Sequence, residues 1–219
     1  MGILGRPIMV AASLLLAACA GQASVEKSHP VPLGERANPP HGYTDFCSRN
    51  PEDCGSAATP LKKPFALSKA RWFELDTVNS MVNHMIVAAT DVKQYGLNEY
   101  WTYPVESGDC EDYALLKRKD LFERGWPLQS LLLTVGYDRD SRAHAVLMVS
   151  TDKGDYVLDN LTDEILPWWE APYDWTIRQS EENPQQWVQM RPAEKSVDVA
   201  STKPRSRKAS RSPIVKTED

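Results

Sequence analysis

The residues Ser107-Gly108-Asp109-Cys110-Glu111-Asp112 predict the start of a helix that carries a cysteine, and the other elements of the fold can be predicted around this helix. Residues 113–123 are mainly good helix formers, and Gly125 and Pro127 are typical of the positions just beyond a helix end. Cys110 is therefore predicted to lie in the first helical turn. Free backbone N–H groups and the positive end of the helix dipole stabilise a thiolate there, and the thiolate is the reactive form. The stretch predicts a thiol nucleophile.

Three carboxylates stand beside this cysteine. Asp109, Glu111 and Asp112 oppose ionisation of the thiol, so a histidinium or a bound cation has to offset them. Asp109 and Glu111 are candidate ligands of calcium, which takes several oxygen ligands in irregular geometry. Alternatively, Asp109 and Glu111 only stabilise the first turn of the helix, as Asp112 does. Two carboxylates do not complete a calcium shell and the chain has no EF-hand spacing, so both interpretations stay open.

A histidine and an aspartate follow in two apolar segments of β type. His144 lies in residues 143–149, and Asp159 lies near the end of residues 156–160. A four-residue hairpin loop over residues 150–153 places His144 opposite Asp159. Cross-strand neighbours have Cβ atoms about 5 Å apart, which suits a carboxylate that orients an imidazole base. A two-residue turn would instead move Asp159 away from His144, and the triad would need another carboxylate.

The order of the predicted elements indicates an α+β fold. Residues 68–95 have a helical pattern that Gly96 ends, and residues 131–137 predict a buried strand. The second half of this helix has a predicted buried stripe, which consists of Val78, Met81, Val82, Met85, Ile86 and Ala89. Helices first and strands afterwards predict a nucleophile helix packed on an antiparallel sheet. The tryptophan-rich residues 165–187 are expected to form loops and a short helix over the sheet. The alternative for this segment is a peptide- or glycan-binding surface.

These segments together resemble a known family. The strings are Gly108-Asp109-Cys110-Glu111-Asp112-Tyr113-Ala114, Ala143-His144-Ala145-Val146-Leu147 and Val157-Leu158-Asp159-Asn160-Leu161, with Val78-Asn79, Val82-Asn83 and Trp101-Thr102-Tyr103-Pro104 ahead of them. They resemble the bacterial transglutaminase-like cysteine proteinases over residues 40–187. The resemblance implies a papain-like transglutaminase core with Cys110 as nucleophile, His144 as base and Asp159 as the orienting carboxylate. It also supports calcium at Asp109 and Glu111, because calcium-dependent relatives carry an acidic pair there.

The resemblance also suggests a biological setting. Some relatives are periplasmic calcium-dependent proteases that cleave large surface adhesins and are controlled by cyclic-di-GMP through a membrane receptor. We therefore expect an envelope or cell-surface protein as substrate and a membrane receptor as a candidate regulator. The expected reaction passes through a thioester on Cys110. If water hydrolyses this thioester, the protein is a peptidase, as the family resemblance favours. If an amine attacks the thioester, the protein is a transglutaminase. The alternative is that the protein is not an enzyme but a catalytically silent, membrane-tethered binding module.

The expected chemistry needs an oxyanion site but no organic cofactor. The backbone N–H of Cys110 is one candidate donor, and Trp101 or Tyr103 is a candidate for the second. The formal net charge of −5 at pH 7 is mild, and the predicted folded region has no basic face. Both features argue against a nucleic-acid partner.

The N-terminus has the pattern of an exported lipoprotein. Residues 1–18 combine Arg6, a short apolar run and small residues, which predicts an export signal too short to span a membrane. Leu16-Ala17-Ala18-Cys19 resembles a lipobox, which implies acylation of Cys19 and a periplasmic, membrane-anchored protein; the alternative is an ordinary secretory leader. Residues 19–40 are expected to be a flexible tether, residues 41–190 the peptidase domain and residues 191–219 a disordered basic tail.

Two further cysteines lie close together around an Asn-Pro turn. In an oxidising compartment, Cys47 and Cys54 are expected to form a local disulfide. The competing interpretation is half of a metal site, but a second thiol or histidine pair is absent from the neighbourhood. Their spacing also lacks the CxxC pattern of disulfide oxidoreductases. Cys110 is then the unpaired thiol, which makes it the candidate reactive one.

Overall fold

A computed structural model describes residues 29–54 and 63–191 of the 219-residue chain. The predicted export signal, Cys19 and residues 192–219 of the predicted tail lie outside these residues. Within the described ranges, no helix has the length and apolarity needed to cross a membrane.

The centre of the described fold is a seven-stranded antiparallel sheet. Its strands, in chain order, are β1 (Leu33–Ala37), β4 (Leu131–Tyr137), β5 (Ala143–Thr151), β6 (Gly154–Leu158), β7 (Leu166–Pro167), β8 (Asp174–Gln179) and β9 (Trp187–Met190). Across the sheet the order is β1-β9-β8-β4-β5-β6-β7. A separate parallel pair joins β2 (Val87–Ala88) to β3 (Ser107–Gly108).

The helices mostly precede the central strands, and the helix that begins at Cys110 packs on the sheet, so the predicted α+β class and the nucleophile helix on an antiparallel sheet are confirmed. They are α1 (His41–Arg49), α2 (Lys69–Met85), α3 (Asp91–Tyr95) and α4 (Cys110–Glu123), with two 3-10 turns at Pro51–Cys54 and Leu128–Ser130. Helix α4 packs on β4 and β5, and α2 packs on α4. Gly125 follows α4 with a φ of 84°, the left-handed conformation that glycine adopts without steric cost.

The core lies on both faces of the sheet because the central strands alternate with a period of two. Leu147 and Val149 of β5 pack with the buried side chains of α2 and α4, including Leu115. Val146 and Met148 face the other way into a smaller cluster that contains Trp168 and Val157. Burying each such side chain stabilises the fold by roughly 1.5–3 kcal/mol. The sheet that carries His144 is therefore held rigidly from both sides.

The single helix predicted over residues 68–95 is wrong, because α2 ends at Met85. Ile86 takes an extended conformation with φ −97° and ψ 134°, and the chain then pairs with β3 through the bond from Val87 N–H to Glu106 O at 2.9 Å. Val78 and Val82 of the predicted stripe are buried, whereas Met85 is 54% exposed. Tertiary pairing next to Cys110 has overridden helix propensity here.

Two other boundaries differ from expectation. The predicted tether, residues 19–40, overlaps the fold, because Leu33–Ala37 forms the edge strand β1 and pairs with β9. Residues 165–187 contain strands β7 and β8 rather than the expected short helix. An edge position explains the first difference, since a short polar strand can complete a sheet without an apolar pattern of its own.

The predicted disulfide is present. Cys47 and Cys54 are bonded with Cα atoms 5.6 Å apart, and Cys110 is the free cysteine among the described residues. The buried guanidinium of Arg118 on α4 donates to Asp53 O at 3.1 Å, next to Cys54. The disulfide turn is thus tied directly to the helix that carries the thiol.

Candidate active site

Cys110 is the first residue of α4, as predicted, and its N-cap residue Asp109 is extended. The thiol is half-buried between the helix and β5. Its Sγ accepts a hydrogen bond from the N–H of Ala145 at 3.4 Å, and the Sγ–H donates to Glu111 Oε2 at 3.1 Å. The thiol therefore lies against the backbone that immediately follows His144.

His144 and Asp159 form a buried pair, as the sequence predicted. Nε2 of His144 lies 2.9 Å from Asp159 Oδ1, and the two residues are 9% and 4% exposed. The hydroxyl of Tyr173 donates to the other carboxylate oxygen, Oδ2, and the N–H of Leu161 donates to Oδ1 at 3.0 Å. Burial on its own raises the pKa of Asp159, but the hydrogen bonds from His144, Tyr173 and Leu161 lower it overall. Asp159 is thus held as a carboxylate.

The four-residue hairpin predicted over residues 150–153 is wrong. Thr151 pairs with Gly154, so the turn has two residues, and Gly154 has a φ of 122° that favours glycine. In this register Leu147 pairs with Leu158. Asp159 nevertheless meets His144, because β6 ends at Leu158 and Asp159 belongs to the loop that follows. No other carboxylate is needed to complete the arrangement.

The acidic residues beside the thiol form a compact cluster. Asp109 and Glu111 are joined by Asp91, and each of the three offers an oxygen within 4.8 Å of the others. Asp91 is 1% exposed and Glu111 6% exposed. Asp109 Oδ2 accepts from the N–H of Asp91 at 3.1 Å, while Oδ1 of each of these two aspartates is buried without a hydrogen-bond partner among the described residues. Unpaired buried carboxylate oxygens are costly, so the cluster is suited to a cation.

The electrostatics of the cluster act directly on the thiol. Burial and the charge of Glu111 raise the pKa of Cys110 well above its ordinary value. Burial and the charge of Asp109 raise the pKa of Glu111 to about 9, and burial raises the pKa of Asp91. A neutral thiol is a poor nucleophile. The carboxylates thus disfavour ionisation of the thiol, and a positive charge beside them would act in the opposite direction.

The other predicted site residues are engaged elsewhere. Asp112 does more than support the first turn of α4, because its fully buried carboxylate accepts from the N–H of Thr102 at 2.8 Å. The two candidate oxyanion side chains point to other partners. Trp101 donates its indole N–H to Glu99 Oε2 at 2.9 Å, and the ring of Tyr103 packs on Phe46 with centroids 5.3 Å apart. The N–H of Cys110 remains the candidate oxyanion donor.

Sequence reasoning missed Asp91 and Tyr173. Asp91 lies 18 residues before Asp109 and opens the short helix α3, a position that the sequence assigned to the interior of a longer helix. Tyr173 lies in the tryptophan-rich segment, where nothing distinguishes it from the neighbouring aromatic residues. The single available signal was the pair of β-branched residues Ile86 and Val87 inside the predicted helix, because β-branched residues favour strands.

Two cavities adjoin this site. One of about 290 Å³ has apolar walls that include Val157, Leu161 and Ala171, with Asp159 and Tyr173 at its edge. The second, of about 300 Å³, is lined by the turn of residues 138–142 and shares Leu161 and Tyr173 with the first. Because Pro172 also lines both, the two cavities are adjacent, and Asp159 lines the first of them.

The chain is similar to a known protein family and to solved structures. A family model described as bacterial transglutaminase-like cysteine proteinase matches residues 33–195. The chain is also similar to LapG of Legionella pneumophila: the calcium-bound form is 26% identical with a TM-score of 0.45, over 59% of this chain and 75% of that one. The EGTA-treated form is 29% identical with a TM-score of 0.42, over 49% of this chain. That match spans 62% of the LapG chain. No curated protein matches the chain.

Proposed function

This chain belongs to the family of bacterial transglutaminase-like cysteine proteinases, and from that premise we propose that it is an exported cysteine peptidase that uses Cys110, His144 and Asp159. The observation that carries the proposal is the 2.9 Å contact of His144 Nε2 with Asp159 Oδ1, together with the 3.4 Å hydrogen bond from Ala145 N–H to Cys110 Sγ. A nucleophile, a base and an orienting group in this order are the parts that covalent acyl transfer requires.

The hydrogen bonds of the His144 ring indicate which of its two nitrogens acts as the base in the proposed reaction. Because Nε2 of His144 is held by Asp159, Nδ1 is the nitrogen that takes the proton of Cys110 as Sγ attacks the carbonyl carbon. His144 then gives that proton to the leaving amine when the C–N bond breaks, and a thioester remains on Cys110. Water loses a proton to His144 and attacks the thioester. The acid is released and the proton returns to the thiol.

The negative charge on the carbonyl oxygen is proposed to be stabilised by the N–H of Cys110. The first N–H groups of a helix have no partner within the helix, and Cys110 is the first residue of α4. A single donor of this kind contributes about 3 kcal/mol to transition-state stabilisation. The helix dipole acts in the same direction.

We further propose that Asp91, Asp109 and Glu111 hold a calcium ion. The donor set fits, because calcium prefers carboxylate oxygens and accepts backbone carbonyls and waters as further ligands. The buried oxygens of Asp91 and Asp109, which have no partner among the described residues, support the same proposal. When bound, calcium supplies the positive charge that balances the carboxylates next to the thiol. Cys110 is then able to ionise with His144 as its proton acceptor.

The proposed substrates are proteins of the cell envelope or surface. The lipobox-like sequence at Cys19 supports a periplasmic protein anchored to a membrane, and the Cys47–Cys54 disulfide supports an oxidising compartment. The apolar cavity beside Tyr173 suits a side chain of a bound peptide. Control by a membrane receptor is part of the same proposal and derives from the family resemblance.

The test is the rate of Cys110 alkylation by iodoacetamide across pH, with calcium or with EGTA, in the mature chain. We expect rapid labelling below pH 7 with calcium, and a collapse of that rate in His144→Ala. His41→Ala is the matched control, because the His41 side chain is 90% exposed and pairs with Asp45 of its own helix. A slow labelling rate that is unchanged in His144→Ala and unchanged by EGTA would contradict the proposed peptidase and favour a catalytically silent binding module.

A second measurement separates hydrolysis from transamidation. Envelope proteins incubated with the wild-type chain and a biotin-labelled primary amine are expected to give new fragments, and Cys110→Ala is expected to give none. Biotin on intact proteins without fragments would identify a transglutaminase instead. Both outcomes require the same thioester on Cys110, so the result decides only which acceptor resolves it.

A further inference from the structure

The loop that carries Asp159 is held by helix α2 rather than by the sheet. Strand β6 ends at Leu158, so residues 159–163 have no ladder to fix them. Instead, the side-chain amide of Asn83 on α2 lies 2.9 Å from Asp159 O, 3.0 Å from Thr162 O and 2.9 Å from Asp163 Oδ1. One amide thus contacts both ends of the loop.

Asn79 lies one helical turn before Asn83 and contacts the same loop. Its Nδ2 donates to Thr162 O at 3.3 Å and Asp163 O at 3.1 Å. Its Oδ1 accepts a hydrogen bond from Lys117 Nζ at 2.7 Å. Asn79 and Lys117 are both 0% exposed. The amide of Asn79 is therefore oriented by the lysine, which leaves its N–H groups directed at the loop.

Lys117 connects this arrangement to the nucleophile helix. It lies on α4 seven residues after Cys110, which is about two helical turns, so both residues are on one side of the helix. A fully buried lysine is rare. Burial lowers its pKa to about 7, and the charges of Asp159 and Asp163 oppose that shift. An apolar side chain of similar volume would fill the same space at lower cost, so packing alone does not account for a lysine here.

We propose that Asn79, Asn83 and Lys117 are positioning residues that fix the loop of residues 159–163 and thereby hold Asp159 against His144. The proposal deepens the proposed function, on which it rests for its catalytic meaning. The three side chains connect α4, which carries the thiol, through α2 to the orienting carboxylate. They also explain how Asp159 reaches His144 from beyond the end of its strand.

The test uses two readouts in the calcium-loaded mature chain, neither of which needs a known substrate. One is the iodoacetamide alkylation rate of Cys110 at pH 7. The other is the downfield proton resonance of His144 Nε2–H bonded to Asp159, assigned by its absence from His144→Ala. The variants are Asn83→Ala and Lys117→Met. Gln179→Ala is the matched control, since Gln179 is also a fully buried amide but bonds to Tyr43, Pro184 and the N–H of Leu133, none of which lies in the loop of residues 159–163.

We expect Asn83→Ala and Lys117→Met to broaden or abolish the His144 resonance and to slow alkylation between about 10- and 100-fold, because a displacement of about 1 Å costs on the order of 100-fold. Gln179→Ala is expected to lower the melting temperature while leaving both readouts unchanged. Variants that behave like Gln179→Ala would overturn the proposal. If wild-type labelling does not depend on His144, the proposed function fails, yet the resonance still decides whether the three residues position Asp159.

Discussion

The phenol ring of Tyr173 stacks on the imidazole of His144, with ring centroids 5.0 Å apart and planes 16° from parallel. The same side chain donates its hydroxyl to Asp159 Oδ2. Tyr173 therefore contacts both the base and the group that orients it. It restricts rotation of the imidazole and occupies the carboxylate oxygen that His144 does not use.

Tyr173→Phe is expected to keep the stack and lose the hydroxyl. A hydrogen bond to a charged group contributes about 1.5–3 kcal/mol, so we expect iodoacetamide to label Cys110 at least about tenfold more slowly. Tyr173→Ala removes the stack as well and is expected to be slower again. Tyr137→Phe, at a tyrosine that is 46% exposed, is the control. Wild-type rates in both Tyr173 variants would show that His144 needs neither contact.

Glu111→Gln is expected to activate the thiol when calcium is absent. The charge of Glu111 raises the pKa of Cys110, so its removal lowers that pKa and increases the thiolate fraction at a given pH. In EGTA the variant should be alkylated faster than wild type at about pH 10, where the Glu111 carboxyl, with its pKa of about 9, is charged. In calcium it should gain little, because one ligand of the proposed site is lost. Glu106→Gln, at an exposed position outside the cluster, should match wild type, and an equal rate in Glu111→Gln would contradict the coupling.

The acidic cluster predicts how stability depends on pH when calcium is removed. The pKa of Glu111 is raised to about 9 and that of Asp112 to about 7, so between pH 5 and 7 the folded chain holds protons that the unfolded chain has lost. Stability should therefore fall as pH rises through this window, by up to about 1.4 kcal/mol per pH unit for each proton. The lowered pKa values of Asp159 and Lys117 affect the stability only outside this window. Asp159 contributes to the pH dependence below about pH 4, and Lys117 contributes above about pH 7.

The measurement is the midpoint of urea unfolding at several pH values, with EGTA or with calcium. Calcium should flatten the slope, because its binding favours the ionised carboxylates in the folded state. Glu111→Gln should also reduce the slope in EGTA. A stability that stays constant or increases from pH 5 to 7 in EGTA would mean that the cluster is not protonated in the folded chain.

The part of the site that depends on local sequence could be predicted. The helix start at Cys110 is set by residues within one or two turns, and the strand that carries His144 has an apolar pattern of its own. The partners of these elements depend on tertiary contacts. Asp91 reaches the cluster only because α2 ends early and β2 pairs with β3, and Tyr173 reaches His144 only because β8 lies beside β4.

The contact between His144 and Asp159 was predicted for a reason that the structure contradicts. Hairpin register follows from turn length, and the sequence of residues 150–154 is compatible with more than one turn. The actual two-residue turn takes Asp159 out of register with His144, and β6 ends one residue earlier, at Leu158. The contact is restored by Asn79 and Asn83, whose amides bond to backbone carbonyls of the loop, and such long-range bonds leave no periodic signal in a sequence.

Gly108→Ala tests whether close packing sets the position of the thiol. A Cβ at Gly108 would lie 2.8 Å from Asp112 Cβ and 3.0 Å from Pro104 Cβ. Asp112 cannot move away easily, because its carboxylate is bonded to Thr102 N–H and is fully buried. The added methyl group must therefore shift β3 or the first turn of α4.

Overpacking of this kind costs about 1–3 kcal/mol, so Gly108→Ala should lower the free energy of unfolding, measured in urea, by an amount in that range. Because the displaced turn carries Cys110, alkylation by iodoacetamide should slow even in the fraction that remains folded. Ser107→Ala is the control, since Ser107 is the neighbouring residue of β3 and its hydroxyl bonds only to Gln94 among the described residues. If Gly108→Ala lost stability but kept the wild-type alkylation rate, the strain would have been absorbed by β3, and the thiol would be positioned by the contact with Ala145 instead.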